Sequence, residues 1–222
     1  MKQQNSVLVV SVKILGIKNA ALLAADLLAK GKIISVPTET SYGLAADATN
    51  KKAVRKIYTI KNRDDAKRIP VMMRDFAQLR KYTQITQAQK TWIKKYENKV
   101  VSFRLAKKQG RLTELGDDPT VVERKATHAF LKLLAKNFDK PFTITSTNIS
   151  GQPSIFSFKE YREQFKHHGH QVDAFFDYGT LKPQPASTIL DLTQNPPLVL
   201  RQGKTKINVK KTVSSKSRQK TN

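Results

Sequence analysis

Short apolar runs alternate with stretches of helical spacing along most of the chain. Val7–Val12 reads as a strand, and Ala20–Ala29 follows with helical periodicity, opened by Asn19 and closed by Gly31. Lys32–Val36 is a β-rich run halted by Pro37, and Lys51–Ile60 is helical with Asn50 as its N-cap. A strand is predicted at Val71–Met73, then helices over Asp75–Tyr82 and Gln87–Tyr96. Strands at Val100–Leu105 and Thr120–Val122 come next, with a helix capped by Thr127 running to Lys136. Phe142–Thr145 reads as a strand and Phe158–Phe165 as a helix. Ala174–Phe176, Ser187–Leu192 and Leu198–Arg201 close the chain as strands. Alternating strands and helices with short connections, and no internal repeat, predict one α/β domain.

Composition adds a partner class to this outline. The chain has 222 residues, of which 39% are hydrophobic, enough to place it above the disordered class and to build one core. It carries 41 Lys+Arg against 17 Asp+Glu, a net charge of +24, which attracts polyanions: nucleic acid, nucleotides or an anionic membrane surface. Seven of the basic residues and none of the acidic ones fall between Gly203 and Asn222, in a stretch with little to bury. Residues 1–203 are therefore expected to fold and 204–222 to form a basic, mobile tail. The body keeps 34 basic against 17 acidic residues, so the excess belongs to the domain as well. The absence of cysteine excludes a disulfide scaffold, a thiol nucleophile and Cys-ligated metal sites. No apolar run approaches the roughly 18–20 residues of a membrane span, and Val7–Val12 is too short for a secretory signal. A cytoplasmic protein with no membrane partner is expected.

No G-x-G-x-x-G or G-x-S-x-G is present, and the single Gly-Lys-Thr, Gly203–Thr205, has Leu198 where a P-loop needs glycine. A phosphate ligand must then be held by side chains. Three loops offer them. Pro37–Leu44, directly after a strand, packs two threonines, a carboxylate and a phenol into a few residues, either for a ligand or for its own turn. Lys61–Arg68 holds four cations suited to phosphates, or forms a solvated charge run offset by Asp64 and Asp65. Thr143–Ser154 runs from a strand into hydroxyl-rich loop, where Ser146 and Asn148 can point the same way. His167-His168-Gly169-His170 lacks an acidic or Cys partner pattern and reads as a solvated loop, with no metal assigned.

In combination these loops are specific. Pro-Thr-Glu-Thr-x-Tyr-Gly-Leu from Pro37, Lys-x-Arg-x-x-x-Lys from Lys61, Ser146-x-Asn148, Ser187-Thr188 and Leu200-Arg201-x-Gly203, in this order, resemble the YrdC-like threonylcarbamoyl-adenylate synthase family from about Ala20 to Gly203. The resemblance implies a single α/β domain with a twisted mixed sheet and a basic concave face. It implies synthesis of threonylcarbamoyl-AMP and pyrophosphate from L-threonine, bicarbonate and ATP, with Mg²⁺ expected on the phosphates. The product would pass to threonylcarbamoyl-transferase proteins that modify adenosine 37 of tRNA. Carried over residue by residue, it places ATP at Lys61, Arg63, Lys67, Thr120, Ser146, Asn148, Ser154 and Arg201. Threonine falls to Thr40, Arg124, the backbone at Ile144, and Ser187; Arg124 opens an Arg-x-x-x-His pattern ending at His128.

The chain departs from the pattern in three places. The family's Trp-Pro-Gly-Pro turn is Tyr96-Glu97-Asn98-Lys99, the proline after its histidine is Ala129, and a histidine beyond the Lys67 position is Met72. No side chain is assigned as general base. The competing reading is a non-catalytic module that binds tRNA or double-stranded RNA through the same basic face, although no RNA-recognition signature is present. A hydrogenase maturation factor with a similar domain needs cysteine-rich zinc modules, which this chain lacks.

Overall fold

A computed structural model describes residues 6–64 and 67–209. Two mixed sheets share the strands. One runs in the order β1-β9-β2-β3-β8, comprising β1 (Leu8–Ser11), β9 (Ala174–Asp177), β2 (Ile34–Pro37), β3 (Tyr42–Ala45) and β8 (Thr145–Ser146). The other runs β11-β10-β5-β6-β4-β7: β11 (Leu198–Arg201), β10 (Thr188–Asp191), β5 (Val101–Ala106), β6 (Thr120–Arg124), β4 (Val71–Met72) and β7 (Phe142–Thr143). The α/β class with mixed strand pairing stands, the strands being divided between two sheets.

Strand alternation assigns the layers. In the first sheet, Ile34, Val36, Ala174 and Phe176 pack against Ala24 and Leu28 of α2 (Ile17–Ala29) and Phe130 and Leu134 of α6 (Ala129–Asn137). Its opposite face, with Tyr42, Leu44 and Phe175, meets Ile57 of α3 (Lys51–Lys61) and Tyr161 and Phe165 of α7 (Phe158–Phe165). In the second sheet Val101, Phe103, Leu105, Val121 and Leu190 face Leu79 of α4 (Phe76–Tyr82) and Ile93 of α5 (Gln87–Tyr96). The other face, with Ser102, Val122, Arg124 and Ile189, is left for a ligand cleft.

Several local expectations change. Phe142–Thr145 is not one strand: Phe142–Thr143 pairs with β4 and Thr145–Ser146 with β3, so the chain passes between sheets at Ile144. Tyr42–Ala45, inside the supposed loop, pairs antiparallel with β2, because Thr38–Ser41 closes a tight turn in which Thr38 N donates to Ser41 O at 3.1 Å. Helix α2 begins at Ile17 after Gly16, leaving Asn19 inside it. His128, not Thr127, caps α6, its Nδ1 accepting from Phe130 N at 3.2 Å.

The expected tail begins too early. Lys204 N donates to Ala186 O at 2.9 Å, the Thr188 hydroxyl donates to Thr205 O, and Ile207 is buried in the second core. The ordered body thus continues through Val209, and the rest of the tail lies outside the described residues.

Candidate active site

A cleft of about 470 Å³ opens between the free face of the second sheet and the turn that ends β2. Its floor follows from strand register. Arg124 stands opposite Ser102, Ser102 opposite Ile189, and Ile189 opposite Arg201, so one row crosses β6, β5, β10 and β11. Residues paired across a sheet share a face. The last step needs an irregularity. Leu190 pairs with Val199 while Ile189 pairs with Arg201, so Leu200 is an extra residue. Such a bulge re-aims the side chain beside it. Val199 stays toward the core and Arg201 comes to the cleft.

Arg201 donates to Ser187 O from Nε at 3.1 Å and Nη2 at 2.9 Å, and from Nη2 to Ser187 Oγ at 3.2 Å. The Ser187 hydroxyl also pairs with Ser102 Oγ at 3.0 Å. Gly203 permits this approach, since a Cβ there would collide with Ala186 O and the Ser187 carbonyl. Burial, with the nearby Arg124 charge adding to it, lowers the pKa of Arg201.

The opposite wall is the Thr38–Gly43 turn. Thr38 Oγ1 lies 3.1 Å from Thr40 Oγ1, and Arg124 Nη2 donates to Thr40 Oγ1 at 3.1 Å. Arg124 also donates to Glu39 Oε1 from Nε at 3.0 Å and Nη2 at 2.6 Å. Gly43 keeps the wall close, because a Cβ there would lie 2.8 Å from Ile144 Cδ1 and 2.9 Å from Thr38 Cγ2.

Of the sequence-derived candidates, Thr40, Arg63, Arg124, Ile144, Ser146, Ser154, Ser187 and Arg201 line this cleft. Ile144 N already donates to Pro70 O at 2.8 Å, so any main-chain contact from it must come from its carbonyl. Lys61, Lys67, Asn148 and Thr120 do not line it. Lys61 is buried beneath the Ser146–Asn148 segment, donating to Ser146 O at 2.5 Å, Asn148 O at 2.9 Å and Asn148 Oδ1 at 2.8 Å. Ser146 Oγ donates to the same Oδ1 at 2.6 Å. Burial lowers the pKa of Lys61 to about 7, Arg63 contributing. Lys61 and Asn148 are thus a brace for the loop that presents Ser146.

Lys67 is exposed; its carbonyl accepts from Arg63 Nε at 3.1 Å, and Arg68 lines the cleft in its place. Thr120 is tied to Asp118 Oδ1 at 2.7 Å and receives Arg104 Nε at 2.9 Å. Met72 is a core residue and does not line the cleft. Ser102 was missed in the sequence, although it is the polar member of an apolar run whose alternation puts it beside Arg104.

The lining therefore presents four arginines (63, 68, 124 and 201), a set of hydroxyls, and no acidic side chain. It suits a polyanion and a small carboxylate held beside hydroxyls. Among the described residues no group of His, Asp and Glu could hold a metal ion, and no helix is long and apolar enough to cross a membrane.

A family model described as "Telomere recombination", covering Sua5, YciO and YrdC, matches residues 26–203. The chain is 31% identical over 184 residues to a threonylcarbamoyl-AMP synthase of Pyrococcus abyssi, covering 82% of this chain and 53% of that one. It is 32% identical to a threonylcarbamoyl-AMP synthase of Vibrio cholerae, covering 81% and 95% respectively. The crystal structure of P. abyssi Sua5 complexed with L-threonine superposes with a TM-score of 0.78 at 28% identity, covering 89% of this chain and 57% of that one. The chain thus spans about half the length of the archaeal relative and nearly all of the bacterial one. On the extent of the model match and the agreement of fold, the chain belongs to the Sua5/YciO/YrdC family.

Proposed function

We propose that this chain is an L-threonylcarbamoyladenylate synthase, joining L-threonine, bicarbonate and ATP into threonylcarbamoyl-AMP with release of pyrophosphate and water. The observation that carries the reading is one cleft lined both by Arg124, Thr40 and Ser187, which suit a small carboxylate and its polar groups, and by Arg63, Arg68 and Arg201, which suit phosphates. In the reaction, a carbamate oxygen of N-carboxythreonine attacks the α-phosphorus of ATP, and pyrophosphate leaves with the bonding electron pair. Two anions must meet, so fixed cations that absorb phosphate charge are the main requirement. Arg124 takes the threonine carboxylate, Thr40 and Ser187 its polar groups, and Arg63 and Arg201 the nucleotide, with Ser146 and Ser154 beside it. Holding the reactants in line supplies several kcal/mol, up to about 7–11 in well-oriented cases. Mg²⁺ enters with ATP as part of the substrate, since it rides on phosphates with few protein ligands. The adenylate then serves threonylcarbamoyl transfer to tRNA by partner proteins in the cytoplasm.

Pyrophosphate release from ATP tests this. It is expected only when both L-threonine and bicarbonate are present. Release independent of threonine, or none beside an active control, would overturn the synthase reading and favour a non-catalytic RNA-binding module.

A further inference from the structure

A second cavity, of about 750 Å³, lies apart from the cleft. It lies at the other end of the first sheet. Strands β1, β9 and β2 run parallel, and the register aligns Leu8 with Ala174 and Ala174 with Ile34. The C-terminal end of β2 leads to the Thr38–Gly43 turn of the cleft, whereas the N-terminal ends of all three strands lead to this basin, beside Leu8, Lys32 and Asp173.

The basin is bordered by cations from three separate elements. Lys32 precedes β2, Lys56 projects from α3, and Lys166 follows α7, with His167, His168 and His170 in the loop after it. Asp173 is the acidic group among them. It is fixed by Ile33 N at 2.8 Å and draws Lys56 Nζ to 2.9 Å and Lys32 Nζ to 3.7 Å. One carboxylate thereby gathers two ammonium groups and leaves a net positive charge. Lys166 meets Glu163 at 3.1 Å, but both side chains are mostly exposed, and such pairs are weak. The histidine loop is anchored, since His168 Nε2 donates to Ile60 O at 2.8 Å and its ring abuts Phe165. A carbonyl accepts only, so that nitrogen carries a hydrogen. All three lysine side chains remain about half exposed and within reach of a ligand.

We propose that this basin is a second anion site, taking a ligand with more than one phosphate. Three lysines and an anchored histidine loop supply donors and positive charge without the carboxylate set a cation would need. The volume exceeds that of the cleft proposed for ATP and threonine together, so a single carboxylate would leave it mostly empty. Two sources share this chemistry: a free polyphosphate such as a nucleotide tail, and consecutive phosphodiesters of a nucleic acid.

The test follows backbone amide and imidazole resonances of the ¹⁵N-labelled full chain during titration with inorganic tripolyphosphate and, separately, with a short RNA duplex. His167, Gly169, His170 and Asp173 report the basin, and Thr40 and Ser187 report the cleft. At least one probe is expected to shift the basin signals. The triple variant Lys56→Ala, Lys166→Ala, His170→Ala should weaken that binding by at least about tenfold, with threonine-dependent pyrophosphate release unchanged. Lys166→Ala alone, at an exposed position, covers the case in which the triple variant does not fold and should still weaken it severalfold. A response to tripolyphosphate identifies a free polyphosphate; a response to RNA alone identifies a phosphodiester chain. Basin signals unmoved by either probe, or variants that bind as tightly as the parent, overturn the proposal.

Discussion

Arg124 meets Glu39 with two nitrogens on one oxygen, Nε at 3.0 Å and Nη2 at 2.6 Å, while Glu39 Oε2 is buried without a hydrogen-bond partner. Only about a tenth of either side chain is exposed, 12% for Arg124 and 11% for Glu39. The pair fixes one edge of the guanidinium and leaves Nη1 for a second carboxylate. Arg124 therefore reaches the cleft already oriented, and in the proposed synthase threonine adds to this pair without displacing it.

Glu39→Ala should then raise the threonine KM by about 10- to 150-fold, the effect of losing a charge-assisted hydrogen bond of about 1.5–3 kcal/mol, with a smaller change in ATP KM. Glu39→Gln, which keeps an acceptor, should recover part of the loss. Steady-state kinetics with each substrate varied in turn check this. If Glu39 merely neutralised Arg124, both variants would bind threonine more tightly, which is the opposite result.

The Ser102–Ser187–Arg201 chain predicts a milder effect. Ser102→Ala removes one neutral hydrogen bond from Ser187 and leaves the two from Arg201 to its carbonyl. A cost of about 0.5–1.5 kcal/mol corresponds to a loss in kcat/KM of up to about tenfold. Ser187→Ala should exceed it, since it removes a group that touches both neighbours. Equal effects would mean that Ser102 contacts the ligand directly.

Gly43→Ala places a methyl against Ile144 Cδ1 and Thr38 Cγ2, at the point where the chain crosses between sheets. Overpacking of this kind costs about 1–3 kcal/mol. Denaturant unfolding should show a lower midpoint at unchanged slope, with activity reduced beyond the loss of folded protein because the Thr38–Thr40 wall is pushed into the cleft.

The parts of this fold legible in the sequence are those whose signals are local. Asn50 before Lys51, Thr86 before Gln87 and Ser157 before Phe158 are caps with side-chain oxygens on the following amides, and all three helices begin there. The cleft candidates came with the family resemblance, carried on motif residues that lie near strand ends or in the loops beside them. What stayed hidden depended on tertiary pairing. Tyr42–Ala45 reads as loop because its apolar run is short and its partner is the strand before a two-threonine turn. The change of sheet at Ile144 has no local mark. Lys61 looks like a phosphate ligand in a run of cations, and only packing shows that its Nζ is turned inward onto three oxygens of the Ser146–Asn148 loop. Ile207 lies in a polar stretch that looks unstructured, yet one buried isoleucine and two backbone acceptors suffice to hold it down.

Burial of Lys61 makes stability pH-dependent in a defined direction. Its pKa is lowered in the folded state from 10.5 to about 7, so the unfolded chain holds the proton more tightly throughout that interval. Stability contributed by this group is therefore least below about pH 7 and rises as pH increases toward 10.5. The unfolding free energy of the parent, measured against Lys61→Gln to cancel other titrations, should climb over this window by up to about 1.4 kcal/mol per pH unit. Over the same window the neutral amine has two hydrogens for three acceptors, so the Ser146 loop loosens and ATP KM should increase. A flat stability difference would show that the ammonium stays charged in the folded protein.

The C-terminal boundary yields the final prediction. Residues 204–209 close over the β10–β11 edge that carries Arg201. Lys204 N bonds Ala186 O, and the Thr188 hydroxyl both donates to Thr205 O and accepts Gly203 N at 2.9 Å. Ile207 is 2% exposed, and shortening a buried isoleucine to alanine costs about 2–5 kcal/mol. Truncation after Gly203 should therefore lower the melting temperature and impair pyrophosphate release together, because Ser187 and Arg201 lose the segment bracing them. Truncation after Val209 should spare both while removing five basic residues, Lys210, Lys211, Lys216, Arg218 and Lys220. If those residues meet nucleic-acid phosphates, RNA affinity measured across a salt series should lose about one unit of log–log slope per contact on a duplex. Equal stability and activity in the two truncated forms would mean that the 204–209 segment is dispensable to the cleft. An unchanged salt slope in the longer form would assign polyanion binding to the folded body alone.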